Sequence, residues 1–248
     1  MRGFFSLDGA FYKFGSMLAD IIVLSLFWWL FSAVYMITVF FGSPIFTVID
    51  GIPLFNPEFF IRMVVGVPVG AATTALYYVT TRRITNREGY LIREFFKSFK
   101  TNFKQATLIW LMIMFVGEIV IGNVNYLPYL DMNPTMRLLL YIFNLVLVLE
   151  LFVITLYVFV IIARFEMTKW VALRTAFFMV HKHLLTTFTL FVLFLGIFFA
   201  GDLYPLFYVI APGIYALITS YAHINIIKKY RPEIDADPYA KDDFAQRR

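Results

Sequence analysis

The chain contains no cysteine, only three histidines, and acidic or basic side chains at just 15% of its positions. Each scarcity removes a class of function. Without thiols there is no disulfide, no thiolate nucleophile, no iron–sulfur cluster and no cysteine-type zinc site. His181 and His183 stand two apart on a helical pattern, which turns them about 200° away from each other and argues against a shared metal. No Walker loop, G-x-S-x-G elbow, H-E-x-x-H helix or glycine-rich dinucleotide turn occurs. The expectation is a protein that is not an enzyme and holds no cofactor.

What fills the chain instead is hydrocarbon. Apolar residues make up 61%, against about 45–50% in soluble domains. Mean hydropathy is +0.78. Six apolar stretches, 16–41, 61–81, 105–123, 137–163, 186–201 and 206–227, each approach the roughly 20 residues a helix needs to cross a bilayer. The first apolar run is too long for the core of a cleavable signal, so it is expected to stay in the mature protein. If span one starts in the cytoplasm, the inner segments are 1–15, 82–104, 164–185 and 228–248, with 2, 7, 4 and 6 Lys+Arg. Those are 19 of the 21 basic residues; only Arg62 and Arg137 fall outside. That asymmetry predicts an all-α polytopic membrane protein with six transmembrane helices and both termini inside. The net charge of +5 is then anchoring charge facing anionic lipid, and no nucleic-acid partner is expected.

Residues 1–230 read as a single membrane domain, with 231–248 as a polar, mobile cytoplasmic tail. Segment 42–60 has three prolines, two glycines and no Lys or Arg, and reads as an outside loop. Gly66, Gly70 and Thr74, four apart, form a small-residue stripe suited to close helix packing, and Pro68 is a point of bending. Thr85 and Glu88 have capping-box spacing, which predicts a helix start there. Within 88–104, Ile92, Phe95, Phe96, Phe99 and Phe103 share one arc, and Arg93, Lys97, Lys100 and Lys104 an adjacent one. That pattern predicts a helix lying in the cytoplasmic interface, rings down and amines snorkelling, or packed on another protein. A second amphipathic helix is read in 168–185, where Trp170, Leu173, Phe177, Val180 and Leu184 share an arc. Phe95-Phe96, Lys100 and Thr107-Leu108 recur 82 residues later, which suggests a weak internal repeat over 61–126 and 137–204.

Acids inside spans are costly and face the bundle interior. Asp20 lies one turn into the first span, where Lys13 or a basic loop residue is a candidate partner. Glu118 lies in the outer half of the third span, Glu150 near the middle of the fourth, and Asp202 at the end of the fifth. Two readings stay open for Glu118 and Glu150: polar staples between helices, or the proton-binding groups of a carrier.

The stretches Phe11-Tyr-Lys-Phe, Leu18-Ala-Asp20-Ile and Leu26-Phe-Trp-Trp-Leu30-Phe-Ser, then Gly70-Ala-Ala-Thr-Thr-Ala-Leu-Tyr-Tyr-Val79 and Phe95-Phe96-Lys-Ser-Phe99-Lys-Thr-Asn-Phe103, are similar to the YesL family of bacterial membrane proteins. The likeness is best over 1–35 and 66–112. The family often has Asn where Ser25 stands, and it joins the first two spans by a short turn, so 37–65 looks like an insertion. The resemblance implies residence in the bacterial cytoplasmic membrane and an accessory role beside ATP-driven carbohydrate importers, with permease subunits as partners. It supplies no catalytic residues. The inner loops lack the Glu-Ala-Ala coupling segment of such permeases, so this chain is not expected to be the permease itself.

Overall fold

A computed structural model describes residues 10–43, 45–49, 52–85 and 89–230. The order of elements is α1 (Ala10–Phe41), a hairpin of β1 (Phe46–Ile49) and β2 (Ile52–Phe55), α2 (Glu58–Val65), α3 (Val69–Ile84), α4 (Leu91–Tyr126), a short 3-10 turn (Leu127–Tyr129), α5 (Pro134–Arg164), α6 (Lys169–Lys182), α7 (Leu184–Leu203) and α8 (Phe207–Tyr230). Six spans are long and apolar enough to cross a membrane, with α2 and α3 together forming the second. The chain is thus a multi-pass helical membrane protein. The expected tail 231–248, together with Glu88 of the expected capping box, lies outside the described residues.

Helix breaks follow local chemistry. Pro68 lacks an N–H and its ring pushes the preceding residue out of the α region, so Gly66–Pro68 interrupts the second span. The Val67 carbonyl, released from the helix ladder, accepts a hydrogen bond of 2.9 Å from Thr107 Oγ1 on α4. In a bilayer a neighbouring helix must supply that partner, because no water will.

Pro212 inside α8 creates the same need without a break. A proline cannot donate to the carbonyl four residues earlier, here that of Tyr208. The Trp29 indole N–H of α1 donates to that carbonyl at 3.0 Å. One turn further along α1, the buried Ser25 hydroxyl donates to the Ile210 carbonyl at 3.1 Å and accepts from the Gly213 N–H at 2.9 Å. The seam is tight: a Cβ on Gly213 would stand 2.5 Å from Ser25 Oγ and 2.6 Å from the Ile21 carbonyl.

Three sequence expectations are corrected. Segment 88–104 is not a separate interfacial helix: Leu91–Tyr126 is one helix of 36 residues, about 54 Å at 1.5 Å per residue. No proline or glycine between 91 and 116 interrupts it. Thr85 does not start a helix. It closes α3, its hydroxyl donating to the Thr81 and Arg82 carbonyls at 3.1 Å. The loop 42–60 holds an antiparallel hairpin, Phe46 opposite Phe55 and Ile49 opposite Ile52. The second amphipathic segment does form its own helix, α6, separated from α7 at His183. Its buried face, however, is the small-residue line Ala172, Ala176 and Val180, while Trp170, Phe177 and Leu184 point outward. Small side chains let α6 lie close on the rest of the bundle, which leaves the large rings on its outer side.

The core joins buried residues of α3, α4, α5, α6 and α8 with Leu24 of α1 and Leu190 of α7. The last two turns of α5, Leu156–Arg164, are buried all round. The first half of α5 and most of α7 stay exposed on apolar faces.

Candidate functional site

Among the described residues, Asp20, Glu118, Glu150 and Asp202 of the spans each meet a partner on another helix. Arg62 on α2 and Glu118 on α4 are both buried and form an ion pair between Arg62 Nη1 and Glu118 Oε1. Arg62 Nη2 also donates to the Ser43 carbonyl, at the start of the hairpin segment. The hairpin is held in turn by Asn56 N–H to the Ile45 carbonyl at 2.9 Å and by Ser43 N–H to Glu58 Oε2 at 3.1 Å. One guanidinium therefore ties two helices and the connecting segment together. Asp20 on α1 pairs with Arg83 in the last turn of α3, where a basic loop residue or Lys13 was expected, and Arg83 also donates to Ser16 Oγ at 3.1 Å. Glu150 on α5 lies 3.7 Å from His181 Nε2 on α6. Asp202 accepts from the Tyr208 hydroxyl at 2.6 Å.

The His181 Nδ1 lies 2.9 Å from the Phe177 carbonyl, which only accepts, so Nδ1 carries a hydrogen. His183 is the residue between α6 and α7, outside the spans. Its imidazole pKa is lowered by partial burial and then by the nearby Lys229 and Lys182 charges. His223 is buried, with Nδ1 2.6 Å from the Thr219 carbonyl and its ring edge-on to Tyr157 at 4.6 Å. Among the described residues, no group of three or more His, Asp or Glu side chains is placed to hold a metal ion.

Gly66, Gly70 and Thr74 all face other helices of this chain. A Cβ on Gly70 would stand 2.5 Å from the Ala106 carbonyl and 2.7 Å from Trp110 Cβ, so α3 and α4 meet there backbone to backbone. A Cβ on Gly66 would meet Met114 and Tyr35 at 3.1 and 3.2 Å. Thr74 is buried and its hydroxyl donates to the Gly70 carbonyl at 2.9 Å. The first turns of α4 likewise pack inward. Phe95 is fully buried and its ring stacks on Phe27 at 5.5 Å, while Phe99 stacks on Phe31 at 4.5 Å. Phe96 meets Phe27 edge-on at 5.5 Å. Phe103 lies at the border of exposure, and Arg93, Lys97, Lys100 and Lys104 are exposed along the outer side. The Phe arc thus packs on α1, where a helix lying flat in the interface would have turned it to lipid.

Residues 21–124 match a family model described as a protein of unknown function, DUF624. That matched region runs from α1 to the end of α4 and contains the Arg62–Glu118 pair, Ser25, Trp29 and the Gly70 contact. No curated protein and no solved structure matches the chain.

Between the six spans lies a cleft of about 320 Å³. Trp28, Trp29, Trp110, Phe152, Phe194 and Tyr215 contribute to its walls, and none of its lining residues is charged. The carboxylates singled out in the sequence are all absent from it. Sequence reading missed Arg62 as the partner of Glu118, because it stands 56 positions away, beside the start of the second apolar stretch. It also missed the Trp29–Ser25 seam, for which Pro212 inside an apolar run was the available signal.

Proposed function

We propose that this protein is a non-enzymatic accessory subunit of a bacterial ATP-driven carbohydrate (oligosaccharide) importer, seated beside the permease in the cytoplasmic membrane with both termini inside. The observation that carries this reading is the engagement of the intramembrane carboxylates. Asp20 and Glu118 each hold an arginine on another helix. A carrier that moves a proton or a polar solute needs ionisable groups along a polar path, and the central cleft has uncharged walls. The exposed apolar faces of α5 and α7 supply area against which permease helices can pack. The likeness of the sequence to the YesL family supports carbohydrate as the substrate class.

Affinity purification from the native cell in mild detergent tests the reading. Recovery of an importer's permease and ATPase chains in near-equal amounts is the expected result. Recovery of this protein alone, in several detergents and during growth on complex glycans, would overturn it. Reporter fusions at Gly51, Asn133 and the C-terminus test the orientation, with a cytoplasmic signal at Gly51 as the refuting result. One observation favours the alternative of a free-standing, proton-coupled carrier: Glu150 and His181 are partly exposed and face each other across α5 and α6. Solute flux in liposomes that is abolished by Glu150→Gln would establish that alternative.

A further inference from the structure

The central cleft has the makings of a lipid site, with or without an importer beside it. Its volume of about 320 Å³ lies within the roughly 300–1,000 Å³ of ligand pockets. Its hydroxyls are already used. Thr73 Oγ1 donates to the Val69 carbonyl at 2.8 Å and accepts from Trp28 Nε1 at 3.0 Å. Thr155 Oγ1 donates to the Leu151 carbonyl at 2.7 Å, and the Tyr215 hydroxyl to the Leu190 carbonyl at 3.3 Å. A water needs two to four polar partners, and a sugar needs more. The Trp110 indole N–H, a lining donor buried without a partner, is a single group and meets neither need, and with no charged residue in the walls an ionic group finds no counter-charge.

The cleft is also continuous with the bilayer-facing surface. Phe40, one of its lining residues, is 64% exposed and stands in the run that includes Ile37 and Phe41, at 57% and 87%. The occupant available on that side is lipid hydrocarbon, and an uncharged aromatic wall is complementary to a neutral chain. An unfilled apolar void would forfeit the dispersion contacts of its lining. We propose that this cleft is a binding site for one acyl chain of a bilayer phospholipid, which enters laterally beside the outer half of α1 and lies against the tryptophans.

The test uses the full chain in vesicles containing a phosphatidylcholine whose acyl chain carries a diazirine. Photolabel on cleft residues such as Trp110, Thr155 or Phe194 is expected. Ala211→Phe and Ile197→Trp, which fill the cleft from α8 and α7, should each lower that label at least threefold and leave label on the outward-facing Leu145 and Phe188 unchanged. Label confined to outward-facing positions of the unaltered protein would overturn the proposal even if both variants fail to fold. Cleft label that survives a well-folded filling variant would overturn it too.

Discussion

The seam between α1 and α8 permits a quantitative test. Pro212 leaves the Tyr208 carbonyl without its helical donor, and Trp29 supplies one from another helix at 3.0 Å. Trp29→Phe keeps most of the ring and removes the N–H. A buried acceptor left unpaired costs about 1–3 kcal/mol, while interhelical hydrogen bonds in bilayers average nearer 0.6 kcal/mol. The expected loss is therefore about 1–2 kcal/mol. Pro212→Ala changes the prediction. An alanine at 212 restores the N–H, the ordinary helical bond to Tyr208 forms, and the indole becomes redundant. Trp29→Phe should then cost a few tenths of a kcal/mol in the Pro212→Ala background, so the two changes show a coupling of about 1 kcal/mol, in the range seen for residues in contact. Unfolding in detergent, followed by helical circular dichroism against increasing denaturant, gives the four stabilities of the cycle. Because unfolding of membrane proteins is often irreversible, the half-life at a fixed temperature serves as a second reading. Equal losses in the two backgrounds would refute the idea that Trp29 acts by replacing the proline's missing donor.

Two further perturbations probe the other contacts. Arg62→Met should destabilise the protein by about 3–5 kcal/mol, since it leaves the Glu118 carboxylate buried without its partner, whereas Arg62→Met with Glu118→Leu should recover much of that loss; a double variant no more stable than the single one in thermal melts would contradict the pairing. Gly70→Leu should sharply lower the amount of folded protein seen by gel filtration, because even a Cβ collides with the α4 backbone, while Gly117→Leu, where a Cβ meets nothing within 4 Å, should be tolerated; similar behaviour of the two variants would argue against the close α3–α4 approach.

The number of spans was legible from the chain alone. Crossing a hydrocarbon layer needs about 20 apolar residues whatever the fold, so length and composition identified the six spans before any contact was known. The Asp20 partner was legible in part, because Arg83 belongs to the basic inner segment 82–104, although it sits in the last turn of α3 and not in a loop. Periodicity reported that Phe95 and Phe99 share a face, and it could not say whether that face meets lipid or protein, since both are apolar. Only the approach of Phe27 and Phe31 from α1 decided it. The same holds for Arg62 and Glu118, for Trp29 and the proline of α8, and for the cleft. Each depends on which helices become neighbours, and helix neighbours are chosen by shape and by unsatisfied polar groups, two properties that one-dimensional hydropathy does not carry.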